Sequence, residues 1–131
     1  MPAHWVNKVA EDLNRDRKAV NGSRVLVLGV AYKKDVDDLR ESPALTILEL
    51  LEKEGAEVAY HDPYFPRVGQ GRHYKLNMDR VSLETVGQYD CVLIVTDHSD
   101  YDYAKIVREA KLVVDTRNAT KGIPSPKIVH C

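Results

Sequence analysis

The chain alternates between short apolar runs and amphipathic stretches, the pattern of a protein built from strands and covering helices. Trp5, Val6, Val9, Ala10 and Leu13 recur at helical spacing, with Lys8, Glu11, Asp12, Arg15 and Arg17 on the opposite face. A helix is therefore predicted from Pro2 to about Val20, ended by Asn21-Gly22. Trp5 either covers the sheet of this domain or marks a helix that packs on something upstream. Val25-Leu26-Val27-Leu28 is an unbroken apolar run closed by Gly29, as in a strand buried on both faces. Ser42-Pro43 reads as the N-cap and first residue of an unusually apolar helix, Ala44 to Glu54, capped by Gly55. Glu57 to Tyr60 is a second strand, completing a right-handed βαβ unit if the two strands are parallel.

Between Phe65 and Met78 the periodicity fails. Gly69-Gln70-Gly71 and the basic residues Arg67, Arg72, His73 and Lys75 make this either a long surface loop or an excursion with one extra strand. Regular patterning then returns. Ser82 to Val86 is a brief helix, and Tyr89 to Thr96 is the clearest central strand after the first. A helix is predicted near Tyr103 to Ala110, a fourth strand at Leu112 to Asp115, and a last extended piece at Lys127 to His130. These elements predict a Rossmann-like three-layer α/β sandwich with a mainly parallel sheet, preceded by a long N-terminal helix.

Composition narrows this picture without changing it. A chain of 131 residues supports one ordinary core, and 44% hydrophobic with 30% charged residues is globular rather than disordered. The formal net charge of −1 supplies no overall field toward nucleic acid or a membrane surface, so neither is an expected partner. No apolar run approaches the roughly 20 residues of a membrane span, and the start does not read as a signal peptide. Cys91 lies within an apolar strand and Cys131 is last, so both are expected to be inert thiols of a cytoplasmic protein.

Candidate chemistry follows from topology. A parallel sheet presents the carboxyl ends of all its strands at one edge. That edge would gather Tyr32-Lys33-Lys34, Asp62-Pro63, Asp97-His98, Thr116-Arg117-Asn118 and the helix entry at Arg40-Glu41-Ser42. Lys33 and Arg117 are the expected anion ligands, one a point charge and the other a two-pronged donor to phosphate oxygens. Tyr32 either lays its ring on a base or sugar or packs on a neighbouring helix, and Lys34 is read as solvated. The acids of Asp35-Val36-Asp37-Asp38 are expected in loop ion pairs with the nearby cations. No GxGxxG follows the first strand, so pyrophosphate binding on glycines is poorly supported; P-loop, zinc and GxSxG patterns are absent too. A response-regulator arrangement lacks its pair of acids after the first strand. His61 and His98 are read as structural. On chemistry alone, the domain binds a phosphorylated ligand and lacks a complete catalytic set.

The runs GVAYKKDVDDLRESPAL, AYHDPY, VLIVTDH and VVDTRNA occur in an order that resembles the carboxyl-terminal domain of the UDP-glucose/GDP-mannose dehydrogenase family. The resemblance implies an enzyme that oxidises the C6 hydroxyl of a UDP-sugar to a carboxylate in two NAD-dependent steps, through a cysteine-bound thiohemiacetal. It implies that the cysteine, its acid–base partners and most NAD contacts belong to N-terminal and central domains outside this chain, which alone would be inactive. Residues 1–20 would then be a helix leading out of the central domain, and 21–131 the nucleotide-sugar-binding domain. By the same resemblance, Tyr32, Lys33 and Arg117 contact the substrate, Arg40 contacts NAD, and the full enzyme is a homo-oligomer. The run DVDDLRESPAL is similar to enzymes acting on UDP-N-acetylhexosamines more than to those acting on UDP-glucose. A free-standing nucleotide-binding or regulatory module, and a purely structural or oligomerisation piece, are the competing expectations.

Overall fold

The computed structural model describes residues 2–15, 22–29, 43–63, 67–68, 78–99 and 101–130. Helix α1 (Pro2–Arg15) is followed by strand β1 (Arg24–Leu28), helix α2 (Pro43–Lys53) and strand β2 (Glu57–His61). Two-residue strands β3 (Arg67–Val68) and β4 (Met78–Asp79) come next, then a 3-10 helix (Leu83–Gln88) and strand β5 (Cys91–Ile94). Helix α3 (Tyr103–Glu109) and strands β6 (Val113–Asp115) and β7 (Ile128–His130) complete the order.

Five strands form one sheet in the order β2-β1-β5-β6-β7, and each neighbouring pair is parallel. The strand after β1 pairs on one side of it and β5 on the other. The order therefore reverses between β1 and β5, which is where such sheets open a crevice at their carboxyl ends. The register is level there: His61 pairs with Leu28, Leu28 with Ile94, and Ile94 with Asp115.

β1 is apolar on both faces because both faces are covered. Val25 and Val27 join Val9 and Leu13 of α1 and Ile47, Leu48 and Leu51 of α2 in one core layer. Leu26 and Leu28 join Val86, Tyr89, Ile106 and Val107 on the other side of the sheet. That is the three-layer sandwich expected from the sequence. Helix α2 starts at Pro43 as anticipated and ends in a Schellman arrangement: the Ala56 N–H donates to the Leu51 carbonyl and the Gly55 N–H to that of Glu52, with Gly55 at φ 93°. The irregular stretch resolves differently from either expectation, since β3 and β4 pair antiparallel as a separate two-stranded ribbon. Sequence patterning misses two-residue strands because they are too short to show alternation. Residues 16–21, 30–42, 64–66 and 69–77 lie outside the description, and so does the expected helix end near Val20.

Two local devices hold the carboxyl edge. Gly29 ends β1 at φ 88°, and a Cβ there would lie 2.5 Å from Thr96 Cβ and under 3 Å from Thr96 backbone atoms. Only glycine permits this approach of β1 to β5. After β6, buried Asp115 organises the loop of residues 116–120. Its Oδ1 accepts from the N–H groups of Arg117 (3.0 Å) and Ala119 (3.1 Å), and its Oδ2 from the Thr120 N–H (2.9 Å) and hydroxyl (2.6 Å). Burial pushes this carboxyl's pKa up, but the hydrogen bonds from Thr120, Arg117 and Ala119 outweigh it and hold the group below its ordinary 3.8.

Gly29→Ala is expected to cost about 2–4 kcal/mol, combining a left-handed alanine with the clash at Thr96. Gly22→Ala shares the positive φ of 85° but meets nothing within 4 Å, so about 1 kcal/mol is expected there. Urea denaturation of both variants checks this, and equal losses would refute the role given to the Thr96 contact. A depressed acid contributes stability that is present above its unfolded pKa and lost as pH falls through the folded one. Asp115→Asn should therefore cost about 1–3 kcal/mol at neutral pH, with the gap from the parent chain closing below pH 3.8 in the same assay.

Candidate functional site

The carboxyl edge is unusual in the kind of group it buries. Asp62, Thr96, His98, Asp115 and Thr120 are all buried, and each follows or closes a sheet strand on this side. Asp62 and His98 form a fully buried pair, with Nε2 2.9 Å from Oδ2. Tyr101 donates its hydroxyl to the His61 carbonyl (2.8 Å) and lies 3.1 Å from His61 Nδ1, while the Tyr103 hydroxyl donates to the His98 carbonyl at 2.8 Å. Burial is the first reason that the Tyr101 hydroxyl is shifted far up, with the Asp62 carboxylate adding to it. Tyr60, inside the apolar layer, is pushed up to about 12 by burial and by Asp79 and Asp62. Burial and the Arg80 guanidinium lower the His61 pKa from 6.5. The shifts keep the Tyr60 and Tyr101 hydroxyls and the His61 ring neutral at neutral pH, so these three serve as hydrogen-bonding supports rather than as charges aimed at a ligand.

Arg117 is an exposed cation on this edge. It stands two residues beyond β6, in the loop organised by Asp115, and its Nε donates to the Val95 carbonyl at 2.9 Å. The guanidinium is thereby drawn from the end of β6 toward the end of β5, next to the crevice. Thr116 reinforces this direction by donating its hydroxyl to the Ile94 carbonyl at 2.6 Å. Among the described residues, the hydrogen bonds of Arg117 use Nε and the backbone N–H, which leaves its two terminal amino groups for a ligand. Arg80 sits at the outer corner, donating from Nη1 to the carbonyls of Asp62 (3.3 Å) and Pro63 (3.4 Å).

Of the residues read as ligands from sequence, Arg117 is on the carboxyl edge. Tyr32, Lys33 and Arg40, with the acids at Asp35, Asp37 and Asp38, lie outside the described residues. The chain leading to Tyr32 and Lys33 leaves the sheet at Gly29, on the same edge as Arg117 and one strand away from Val95. His98 has the buried, hydrogen-bonded placement expected of a structural histidine. Its pairing with Asp62 was not legible from spacing: the two are 36 residues apart, and only a fold that brings the ends of β2 and β5 together reveals it. The service of Asp115 to the Arg117 loop was missed as well. Its signal is an acid closing an apolar strand just before Thr116, Asn118 and Thr120, residue types that favour tight hydrogen-bonded loops.

Among the described residues, Gly29 does not offer a cradle for a dinucleotide. A pyrophosphate cradle needs glycine backbone left open to the ligand, whereas the space beside Gly29 is filled by Thr96. Cys91 is fully buried in β5 and offers no nucleophile to the edge. Among the described residues, no group of His, Cys, Asp or Glu is arranged to hold a metal, and no helix is long and apolar enough to cross a membrane.

Comparison with known proteins gives the edge a family. Residues 26–122 match the family model described as UDP-glucose/GDP-mannose dehydrogenase family, UDP binding domain. The UDP-N-acetyl-D-mannosamine dehydrogenase of Pyrococcus horikoshii is 32% identical over 130 residues, covering 95% of this chain and 28% of that protein. The UDP-glucose 6-dehydrogenase of Rhizobium meliloti is 31% identical over 104 residues, covering 76% of this chain and 24% of that protein. Among solved structures, an NDP-N-acetyl-D-galactosaminuronic acid dehydrogenase from Methanosarcina mazei superposes with a TM-score of 0.78 at 28% identity, over 100% of this chain and 28% of that one. The chain thus spans 24–30% of the length of such relatives. With a parallel five-stranded sheet, a guanidinium fixed beside its crevice and a family match through most of its length, the chain belongs to the UDP-glucose/GDP-mannose dehydrogenase family, in the region of its UDP binding domain.

Proposed function

We propose that this chain is the nucleotide-sugar-binding domain of an NAD-dependent UDP-sugar 6-dehydrogenase, with the diphosphate held between Lys33 and Arg117. The observation that carries this reading is the anchoring of Arg117 on the Val95 carbonyl, which aims an exposed guanidinium at the end of β5. Lys33 is four residues past Gly29, so chain length alone limits it to roughly 14 Å from that point. Two cations from distant parts of the sequence can thereby meet one diphosphate in a chain of net charge −1. Tyr32, adjacent to Lys33, supplies a ring for the base or sugar, and Arg40, just before α2, is assigned to NAD.

NAD itself is assigned mainly to domains that this chain does not include. When bound there it supplies hydride acceptance; this chain's residues bind and orient the nucleotide end of the substrate. Residues 1–20 are assigned to the connection with a central domain and 21–131 to substrate binding, within a homo-oligomer located in the cytoplasm. UDP-N-acetylhexosamine or UDP-glucose is the substrate class, a choice supported by the names of the relatives on both sides.

Calorimetric titration of the 131-residue chain with UDP tests this reading. Weak binding that falls with added salt is expected, with Lys33→Ala and Arg117→Ala each weakening it about tenfold. Mixed with NAD and a UDP-sugar, the chain is expected to produce no NADH. Undiminished binding in both variants would refute the diphosphate assignment, and absence of any UDP effect on binding or thermal stability would favour a structural role instead.

A further inference from the structure

Asp62 and His98 close β2 and β5, which are not neighbours in the sheet: β1 runs between them. Their hydrogen bond therefore spans the end of β1, at Gly29. The same point is held by other groups. The Gly29 N–H donates to the His61 carbonyl at 2.9 Å, and the Tyr101 hydroxyl donates to that same carbonyl. On the other side, the N–H groups of Val95 (3.0 Å) and Thr96 (3.3 Å) both donate to the Leu28 carbonyl. A buried carboxylate–imidazole pair is a poor source of stability, because desolvation offsets most of what the contact gains and apolar residues of similar volume would pack as well. What the pair adds is direction and length, since a hydrogen bond holds its partners at one separation where an apolar contact tolerates several.

We infer that Asp62 and His98, assisted by the Tyr101 hydroxyl, are positioning residues that fix the spacing of the β2 and β5 ends around Gly29, and so fix the point from which Tyr32 and Lys33 are delivered to the nucleotide. The inference deepens the proposed function and rests on its reading of Tyr32 and Lys33 as ligand contacts. None of the three positioning side chains needs to touch the nucleotide. They act through the backbone of β1.

The test uses Asp62→Asn, His98→Gln and Tyr101→Phe in the 131-residue chain, with Leu13→Ala, in the opposite core layer, as a control of lowered stability. UDP affinity is measured well below each melting temperature, and the amide spectra of residues 30–42 are recorded in parallel. Asp62→Asn and Tyr101→Phe are expected to raise the Kd for UDP about five- to tenfold and to move the amide signals of residues 30–42. His98→Gln, which keeps one donor for Asp62, is expected to have a smaller effect. Leu13→Ala should melt earlier while keeping the parent Kd and the parent signals. Variants that melt earlier but keep both would overturn the inference, for then the pair is structural only. Tyr101→Phe removes a single oxygen, so it keeps the test open if a buried-pair variant fails to fold. If the parent chain itself does not bind UDP, the proposed function fails, while the amide signals still decide whether the pair controls the segment after β1.

Discussion

The approach of β1 to β5 at Gly29 is the constraint on which the edge depends. The two strands come so close that no side-chain carbon fits between Gly29 and Thr96. At that separation the N–H groups of Val95 and Thr96 both reach the Leu28 carbonyl, and the carbonyl of Val95 is left pointing where Arg117 can bind it. A Cβ at position 29 would push β5 away, and the anchor of the guanidinium would move with it. The position of a charged group on one strand is thus set by the absence of an atom on another. That dependence links a backbone property at the end of β1 to the placement of a cation just beyond β6.

The division of labour between core and edge follows from the energetics of burial. Apolar side chains from α1, α2 and α3 enclose the sheet on both faces and supply the driving force for folding. Polar groups are concentrated where the strands stop and their backbone donors and acceptors lose their ladder partners. Asp115 satisfies three such N–H groups, and Tyr101 and Tyr103 satisfy the carbonyls of His61 and His98. Each of these bonds adds little net free energy, but leaving any one unmade in a buried place would cost more. These bonds constrain the edge, and a constrained edge is what a cation must be mounted on if it is to meet an anion without first being ordered.

Much of this was legible in the sequence, and the boundary of legibility is physical. Strands β1 and β5, helix α2 with its Pro43 start and Gly55 cap, and the parallel arrangement are carried by periodicity and local capping, which depend on neighbours along the chain. The placement of Arg117 was readable because a residue just beyond a strand is located by the strand. The Asp62–His98 pair was not, because it depends on which strands lie side by side, and nothing within a few residues of either partner encodes that. The β3–β4 ribbon escaped for the opposite reason, being too short for any pattern to form. Asp115 stood in plain view at the end of a strand, yet its role is visible only when the loop is seen folded back upon it.

A binding edge of this kind is incomplete by its own electrostatics. Arg117 is exposed, and an exposed guanidinium facing an anion across water gains little, because water screens the attraction and already solvates both charges. The same pair becomes strong when a second surface covers it and lowers the local dielectric. Among the described residues, Cys91 is buried within β5 and the space beside Gly29 is filled by Thr96, so neither gives the edge a nucleophile or an open glycine cradle. On the function proposed above, another domain closes over the crevice and brings the reacting groups with it. If Arg117 holds the nucleotide as proposed, closure would strengthen its grip, and binding energy at the nucleotide end would serve the chemistry at the other. On that reading, the weak binding expected of the isolated edge follows from how it is built: its cation is fixed in place beforehand, but remains exposed to water.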